Sequence, residues 1–242
     1  MTRLAFGIEY DGTDFLGWQS QLQQPTLQDT VAAALSFVAD EPMTLVCAGR
    51  TDTGVHARCQ VLHCDTDAQR TERAWVLGAN SRLPSSVCVR WAKPVDDDFH
   101  ARYSAQAREY RYRILNRPVR LALDARMATW ERVPLDVPAM QKACDVLLGT
   151  HDFSAFGSPT TPKGGTVRTI MKAEWLQAEQ DEWHFEVQAD AFLYRMVRRL
   201  VFVQVAVAQG KLSAEAIARS LVQQAKAGAE AKFPRAWLLR TG

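Results

Sequence analysis

Strand-like and helix-like apolar patterns follow one another along this chain in an order that limits which folds it can adopt. Residues 4–8 alternate apolar with small or polar side chains, which predicts an opening strand. Residues 26–38 carry a helical stripe behind a Thr-x-x-Asp sequence that is typical of a helix N-terminus. Strand patterns return over residues 44–47 and 59–64, so the first half predicts a strand, a helix and two more strands.

The second half has a similar order. Its predicted elements are a strand over 108–115, a helix capped by Asp136 and closed by Gly149, a hairpin of 169–179 and 182–189, a buried helix over 191–208 ended by Gly210, and a last helix capped by Ser213. This order is typical of an α+β fold with two similar α/β halves and mainly antiparallel sheets. We predict a boundary near residues 100–108, which divides the chain into 1–103 and 104–242.

The composition is ordinary for a soluble globular enzyme. Hydrophobic residues make up 47% and charged residues 23% of the chain, far from the composition of a disordered protein. No segment approaches the run of about 18 apolar residues that a membrane span requires. The N-terminus reaches Glu9 without a signal-peptide pattern, so we expect a cytoplasmic protein with no membrane partner.

The five cysteines indicate neither disulfides nor a metal site. Their number is odd and no C-x-x-C pair occurs, so a disulfide framework is not expected. Cys59, His63 and Cys64 could suggest a metal, but adjacent strand residues point to opposite faces, which suits a tetrahedral site poorly. We therefore expect no metal and interpret these cysteines as core residues of a strand.

Positive charge is clustered, although the formal net charge is only +2. Seven arginines lie between His100 and Arg126, against two acids, and residues 191–214 contain four cations and no acid. Such clusters can build a positive surface for nucleic acid. They can equally be arginines paired with acids elsewhere, and charge alone leaves the two interpretations open.

One loop carries the residues best suited to chemistry. Residues 48–57 read Ala-Gly-Arg-Thr-Asp-Thr-Gly-Val-His-Ala and follow a predicted strand. Gly49 and Gly54 permit backbone shapes closed to other residues, so Asp52 can stand beside Arg50 as a nucleophile or general base. The alternative is a turn in which Asp52 accepts backbone N–H groups and Arg50 forms an ordinary ion pair. An isolated Arg-Thr-Asp-x-Gly sequence would favour that turn.

The loop resembles the signature Gly-Arg-Thr-Asp-x-Gly-Val-His of the tRNA pseudouridine synthase A family. Further similar blocks follow in the family's order, with similar spacing, along nearly the whole chain. These blocks are residues 9–13, 17–19, 98–102, 108–112, 151–153, 168–170 and 191–198. Agreement at so many separate places makes the resemblance specific.

The resemblance implies two halves joined around a central RNA-binding cleft, the pseudouridine synthase fold. It implies a nucleophilic Asp52 and a Tyr110 that packs against the target base. Arg50 would help displace the target nucleotide, and Arg198 would hold the aspartate ionised. It also implies a homodimer that acts on uridines 38, 39 and 40 of the tRNA anticodon stem-loop.

Two departures from the family pattern lie in the last third of the chain. Phe202 stands where the family has a glycine, four residues after Arg198. The closing segment, which includes residues 236–242, lacks the family's Gly-Leu pair and ends early. Both bear on packing behind the predicted pocket more than on the catalytic assignment.

Pseudouridine formation suits these residues chemically. The ribose C1′–N1 bond breaks and a C1′–C5 bond forms, so no atoms or electrons enter or leave and no cofactor is needed. A carboxylate can attack C1′ or C6, or remove the 2′ proton to give a glycal, and the sequence leaves these open. An adjacent arginine would favour the ionised carboxylate. Tyr110 could return about 1–3 kcal/mol by stacking on a base that has left its helix.

Two other functions compete with this one. A binding module of the same fold would need the arginines and Tyr110 but no carboxylate. A hydrolase could use Asp52 with His56, but glycoside hydrolysis normally needs two carboxylates about 5–9.5 Å apart, and the loop offers one. We interpret His56 and His63 as structural or phosphate-facing, and we leave His100 between a structural role and an RNA contact.

Overall fold

The protein, described by a computed structural model over residues 1–157 and 165–223, forms two compact units. These are Met1–Gln106 and Ala107–Gly242, so the division falls a few residues beyond the predicted 103. Helices combined with an antiparallel sheet in one unit and a mixed sheet in the other confirm the predicted α+β class. Each unit has a hydrophobic core of its own.

The first unit is a four-stranded antiparallel sheet with two helices on one face. Its elements are β1 (Thr2–Tyr10), α1 (Leu27–Ala39), β2 (Val46–Cys47), β3 (Ala57–Thr66), α2 (Glu72–Asn80) and β4 (Val87–Pro94). The strand order β2-β3-β1-β4 makes the opening strand central. Its alternating residues Leu4, Phe6 and Ile8 are buried in the core shared with the helices.

Thr26 begins α1, as predicted. Its hydroxyl accepts the backbone N–H of Asp29 at 3.4 Å and donates to the Asp29 carboxylate at 2.5 Å. A standard capping box would instead return the acid to the Thr26 backbone N–H. The buried stripe Leu27, Val31 and Leu35 then turns this helix towards the sheet.

Helix α2 and strand β4 have no counterpart among the predicted elements. Only Trp75 and Ala79 of α2 are buried, so the helix lacks an apolar stripe that its sequence could reveal. Trp75 packs edge-on against Phe6, with ring centroids 5.8 Å apart. The predicted strand over 44–47 is shorter than expected, because only its last two residues pair with β3.

The second unit has a five-stranded sheet covered by helices. Its elements are β5 (Arg108–Asn116), β6 (Thr129–Glu131), α3 (Val137–Asp145), β7 (Gly149–Asp152), β8 (Val167–Glu179), β9 (Glu182–Ala189), α4 (Met196–Ala208) and α5 (Ala214–Gln223). The order is β6-β5-β9-β8-β7, and only the β5–β6 pair is parallel. The predicted hairpin of β8 and β9 is confirmed, whereas the short strands β6 and β7 were not predicted.

Asp136 caps α3, as predicted, by accepting the Ala139 N–H at 3.0 Å. Gly149 does not close this helix, and that prediction is wrong. The helix ends at Asp145, and Gly149 has a φ of +93° as the first residue of β7. A glycine in a left-handed conformation serves a strand entry as well as a helix end, so its identity alone could not separate the two.

The predicted helix over 191–208 is too long at its start. Helix α4 begins at Met196, preceded by Arg195 in a left-handed conformation with a φ of +59°. The apolar residues before it are accommodated in a loop, where Leu193 is buried and Phe192 packs against the core. Burial in a loop produces the same apolar run as burial in a helix, which is why the sequence overestimated the helix.

The end of α4 follows the prediction. Gly210, with a φ of +67°, donates to the Val207 carbonyl at 2.9 Å, and Lys211 donates to the Ala206 carbonyl at 2.9 Å. This is a Schellman end, which requires a left-handed residue. Phe202, on the same helix, is half-buried and packs against the core of this unit.

Parts of two predictions lie outside the described residues. The predicted loop over 157–166 is described only at its ends, and the divergent segment over 236–242 is not described. The last helix is described to residue 223, and Ser213 caps it by accepting the Ala216 N–H at 3.3 Å.

Alternating charges cover the sheet face of the second unit that lies opposite its apolar core. Arg111 on β5 pairs with Glu186 on β9 at 2.5 Å, and Lys172 on β8 reaches the same carboxylate at 2.9 Å. Arg113 pairs with Glu182 at 2.6 Å. Each of the two β9 carboxylates is largely buried and shared between cationic or imidazole partners, so this face depends on their charge.

We expect the free energy of unfolding to depend on pH through Glu182. Hydrogen bonds from Arg113 and then from His184 lower the pKa of Glu182 from 4.5 to about 2. A pKa that is lower in the folded state gives stability that is complete above pH 4.5 and is lost as the pH falls from there towards 2. Urea unfolding of Glu182→Gln should therefore show a weaker loss of stability over this window than the wild type.

Glu109→Gln, at an exposed position of the same sheet, is the control and should keep the wild-type pH dependence. If the free energy of unfolding falls equally with pH in the wild type and in Glu182→Gln, this account is contradicted.

Candidate active site

Hydrogen bonds with β3 anchor the start of the Asp52 loop, residues 48–56, between β2 and β3. The Ala48 N–H donates to the Val61 carbonyl at 2.8 Å, and the Gln60 side-chain amide donates to the Gly49 carbonyl. Gln60 is buried on β3, so its amide is oriented by the sheet. The loop therefore leaves the sheet from a defined position.

The middle of the loop is held by the last residue of β1 and by the segment that follows this strand. The Trp18 N–H donates to the Thr51 carbonyl at 3.0 Å, and the Tyr10 hydroxyl lies 2.7 Å from the Thr51 hydroxyl. Both aromatic residues are almost fully buried. Thr51, the residue before Asp52, is thus fixed through its backbone and its side chain.

The same segment also satisfies the first turn of α1. The backbone N–H groups of Leu27 and Gln28 donate to the carbonyls of Gly17 and Trp18 at 3.2 and 3.0 Å. The first N–H groups of a helix have no partner within the helix, so an outside acceptor stabilises the helix end. Helix α1, the Gly17–Trp18 turn and the Asp52 loop consequently form one hydrogen-bonded unit.

Two glycines allow this close approach. Gly17 has a φ of +87°, and a Cβ there would lie 2.8 Å from the Thr51 carbonyl oxygen. A Cβ on Gly12 would lie 2.1 Å from the Val55 carbonyl oxygen. Since real Cβ atoms do not approach carbonyls so closely, both positions require glycine.

His56 ends the loop and pairs with Asp11. The imidazole Nδ1 lies 2.9 Å from the Asp11 carboxylate, and the Gly12 N–H lies 3.2 Å from the same nitrogen. Hydrogen bonds from the Thr13 hydroxyl and backbone, together with the nearby imidazole, lower the pKa of the Asp11 carboxyl. This contact fits the structural role predicted for His56.

Asp52 lies in a tight turn at the outer part of this loop. Its backbone carbonyl accepts the Val55 N–H at 3.1 Å, and Gly54 supports the turn with a φ of +71°. Asp52 is half-buried and Arg50 is exposed. The loop thus presents a carboxylate and a guanidinium two positions apart on a backbone fixed at Thr51.

The surroundings of the loop are positively charged. Burial raises the pKa of the Cys47 thiol, and the charges of Arg50 and Arg102 oppose that effect. Both guanidinium groups therefore act on the end of β2, where the loop begins. A positive field of this kind favours the ionised form of a nearby carboxylate.

The other predicted site residues belong to the second unit. Tyr110 on β5 is half-buried, and its ring meets Phe192 edge-on with centroids 4.9 Å apart. Tyr112 also packs against the core and Ile114 is buried in it, as predicted for one sheet face. Arg198 is half-buried on the first turn of α4.

Arg199, the neighbour of Arg198, has a structural contact. Its guanidinium donates to the Gly157 carbonyl, and burial followed by repulsion from Arg195 lowers its pKa. Three arginines therefore crowd the first turn of α4, the end of a helix that favours anions.

Several arginines of the 100–126 cluster have partners that support the fold. Arg111 and Arg113 are paired with acids of β9, so for these two the structural interpretation holds. Arg108 donates to the Asp190 carbonyl at 2.7 Å, and Arg117 donates to the Val119 carbonyl at 3.0 Å. Much of the 100–126 cluster thus supports the fold.

The predicted core location of the cysteines is only partly right. Cys64 is buried, whereas Cys59 is exposed. His63 is buried and accepts the Ala101 N–H at 3.1 Å. Across the described residues, no group of three or more His, Cys, Asp or Glu side chains could hold a metal ion. Within the same residues, none of the helices has the length and apolarity that crossing a membrane requires.

The roles of Tyr10, Gly17 and Trp18 were not predicted, although their blocks were part of the resemblance. Their function as a clamp on Thr51 depends on contacts between distant parts of the chain, including one pair 41 positions apart. The pattern of a glycine followed by a tryptophan after a strand was the available signal.

Comparison with known proteins shows the family of this chain. The chain matches the family model described as tRNA pseudouridine synthase over residues 8–104 and 143–236, and it belongs to that family. Asp52, Arg50 and Arg198 lie inside the matched residues, whereas Tyr110 lies outside them.

Curated relatives extend the match across most of the chain. The chain is 49% identical over 221 residues to the tRNA pseudouridine synthase A of Xanthomonas euvesicatoria pv. vesicatoria (strain 85-10), covering 90% of this chain and 86% of the relative. It is 49% identical over 222 residues to that of Xylella fastidiosa (strain M12), covering 91% and 86%. The predicted family and the predicted class, an isomerase that makes pseudouridine, are confirmed.

Gly17→Ala should destabilise the first unit more than Gly54→Ala. Both positions have a positive φ, which costs an L-residue about 1–2 kcal/mol. Only at Gly17 would the new Cβ also meet the Thr51 carbonyl, because nothing lies within 4 Å of a Cβ at Gly54. Urea unfolding measures the difference, and equal destabilisation by the two substitutions would show that the close approach to Thr51 has no energetic weight.

Proposed function

We propose that this protein is a tRNA pseudouridine synthase that modifies uridines 38, 39 and 40 of the anticodon stem and loop, with Asp52 as nucleophile. The observation that carries the proposal is the fixed Asp52 loop in a chain of this family: Trp18 and Tyr10 hold Thr51, the residue before the aspartate. A reaction at a defined carbon needs a carboxylate held in a defined position. The alternative turn, with an aspartate used only for its own backbone, would not require such a clamp.

The reaction exchanges one bond of ribose for another. The C1′–N1 bond breaks, the uracil turns while the pocket retains it, and C1′ joins C5. The proton on C5 is then lost and N1 becomes protonated, so the product has the mass of the substrate. No cofactor is required, because oxidation state and composition do not change.

Asp52 starts the reaction from its ionised form. The carboxylate attacks C1′ or C6, or it removes the 2′ proton to give a glycal, and all three routes need a charged, desolvated oxygen. Arg198 is proposed as the cation that keeps the carboxylate ionised, since an arginine does not lose its own proton. Its place on the first turn of α4, where the helix dipole also favours an anion, supports this role.

Tyr110 and Arg50 are proposed to handle the target nucleotide. A uridine must leave its helix to reach the carboxylate, at a cost of a few kcal/mol. The Tyr110 ring, supported edge-on by Phe192, offers an apolar face for the extruded base, and stacking can return about 1–3 kcal/mol. Arg50, exposed two positions before Asp52, can fill the space that the nucleotide leaves.

The RNA partner is a folded tRNA, held chiefly through its phosphates. The arginines at the start of α4 and the pair Arg50 and Arg102 are candidates for these contacts. Phosphate contacts position an RNA without reading its sequence, and their strength falls as salt rises. We also propose a homodimer, because several adjacent positions on a bulky tRNA are more easily served by two subunits, and a cytoplasmic location, where tRNA is modified.

Asp52→Asn and Asp52→Ala should bind tRNA and form no pseudouridine. Removing a covalent nucleophile typically lowers kcat by about 1,000-fold or more. The fold should stay intact, because Asp52 is a half-buried loop residue outside the hydrophobic core of its unit. The measurement is pseudouridine mapping at each tRNA position after incubation with purified protein, with tRNA binding followed in parallel.

If the wild type forms pseudouridine only at other tRNA positions, the proposed target positions are wrong and the enzyme class stands. Near-full activity of either Asp52 variant would remove the nucleophile assignment. Abasic or cleaved RNA, in place of an unchanged mass, would indicate a hydrolase.

Arg198→Ala should lower kcat more than Arg199→Ala. Loss of one group that stabilises a catalytic charge costs about 100-fold or more. Arg199→Ala is the matched control on the same turn, and its loss of the contact with the Gly157 carbonyl should lower stability with little change in kcat. Single-turnover rates, measured well below the melting temperature of each variant, distinguish the two. A larger loss for Arg199→Ala would mean that the roles on this turn are reversed.

A further inference from the structure

An exposed tyrosine stands at the end of a row of three aromatic rings in the first unit. The buried ring of His63 lies 4.8 Å from the half-buried ring of His100, which lies 4.3 Å from the ring of Tyr103 at an angle of 30°. Tyr103 is 77% exposed. Its ring therefore offers a flat apolar face to solvent, on which another ring can stack.

The turn that carries Tyr103 is rigid. The imidazole Nδ1 of His100 accepts the backbone N–H groups of Arg102 and Tyr103, both at 3.2 Å, and the Ala101 N–H donates to the buried His63 at 3.1 Å. The Ser104 hydroxyl accepts the His100 N–H at 3.0 Å. The ring of Tyr103 is therefore held out from a fixed backbone rather than from a mobile loop.

This turn lies beside the strand from which the Asp52 loop begins. His63, which the turn contacts, pairs with Val46 on β2, and the loop starts two residues later. The charges of Arg102 on the turn and Arg50 in the loop both act on the Cys47 thiol of β2. The Arg102 guanidinium also lies 5.8 Å from the centre of the Tyr103 ring. The aromatic surface and the Asp52 loop thus share one positive region of the first unit.

Aromatic rings and arginines together are the chemistry by which proteins bind unpaired nucleotides. Any base can stack on an exposed ring, and arginines attract the phosphates on either side. Protein interfaces also favour tyrosine and arginine. The choice between a protein and an RNA partner therefore rests on the positive region that this surface shares with the Asp52 loop. The occupant that best matches an exposed ring beside Arg102, in the positive region shared with the Asp52 loop, is RNA.

We propose that Tyr103, supported by His100, is a stacking platform for an unpaired base of the tRNA substrate other than the uridine that reacts at Asp52. This inference rests on the proposed function and adds a second base contact to it. Tyr103 is a positioning residue, because it holds the RNA and touches no reacting atom. Its contribution is to hold the distorted stem-loop while the target uridine is extruded.

The test is tRNA binding by Tyr103→Ala and Tyr103→Phe in an Asp52→Ala background, where no turnover occurs. Loss of a stacking ring should weaken binding by about 5- to 100-fold, and the phenylalanine should restore it. Phe37→Ala is the matched control: Phe37 is also an exposed ring beside an arginine, Arg82, but it lies on α1, on the opposite face of the sheet. Its binding should equal that of the wild type.

An abasic scan of the stem-loop RNA identifies the base. At one unpaired nucleotide, removal of the base should weaken binding to the Tyr103-containing protein and have no further effect in Tyr103→Ala. If removal of a base weakens binding equally in both proteins at every position, the proposal is overturned. The proposal is also overturned if Tyr103→Ala binds tRNA as well as Phe37→Ala does, or if Tyr103→Phe does not restore binding. A change in oligomeric state alone would overturn it as well.

Failure of this proposal is distinguishable from failure of the proposed function. If the wild type forms pseudouridine in tRNA and Tyr103→Ala binds normally, only the platform is wrong. If the wild type forms no pseudouridine, the proposed function fails whatever Tyr103 does.

Discussion

The hydrogen bond from the Trp18 backbone to the Thr51 carbonyl is the interaction on which the candidate site depends. It joins a buried turn to the residue before Asp52 over 3.0 Å, and the same turn accepts two N–H groups from the start of α1. A buried backbone group that loses its partner costs about 1–3 kcal/mol, so the loop cannot shift without leaving several groups unpaired. The position of Asp52 is thereby fixed by the packing of the whole unit, because α1 is itself held by its buried stripe.

This construction explains why glycines lie against the backbone of the loop. Gly17 and Gly12 let two backbone segments meet at distances that no side chain would permit, and the pairing of His56 with Asp11 secures the far end of the loop. The side chains near the loop are consequently used for support, while Asp52 and Arg50 remain at its outer part. Rigid support beneath a reactive group lowers the entropy that must be lost when a substrate is aligned with it.

Charge is used differently in the two arginine-rich stretches. On the sheet of the second unit, Arg111 and Arg113 are neutralised by largely buried carboxylates of β9, which stabilise the face opposite the helices. At the start of α4 the sequence offers no acid between residues 191 and 214, and the helix end adds its own positive potential. A net charge of +2 therefore conceals one structural cluster and one cluster suited to an anion.

The sequence by itself determined the parts of this protein that depend on local chemistry. Caps at Thr26, Asp136 and Ser213, the Schellman end at Gly210, the β8–β9 hairpin and the family signature around Asp52 were all readable, because each depends on residues within a few positions of one another. Helix α2 was missed because it has only two buried residues, and α4 was extended because a buried loop is as apolar as a helix.

The tertiary structure alone decided how the signature is supported. The contact between Tyr10 and Thr51 spans 41 positions, and that between Gly12 and His56 spans 44. The row of rings that ends at Tyr103 begins at His63 on β3. A periodic pattern reports which face of an element is buried, and it carries no information about which distant residue will cover it. Partners of this kind are set only when the strands pair, because strand register then brings together residues that no local rule connects.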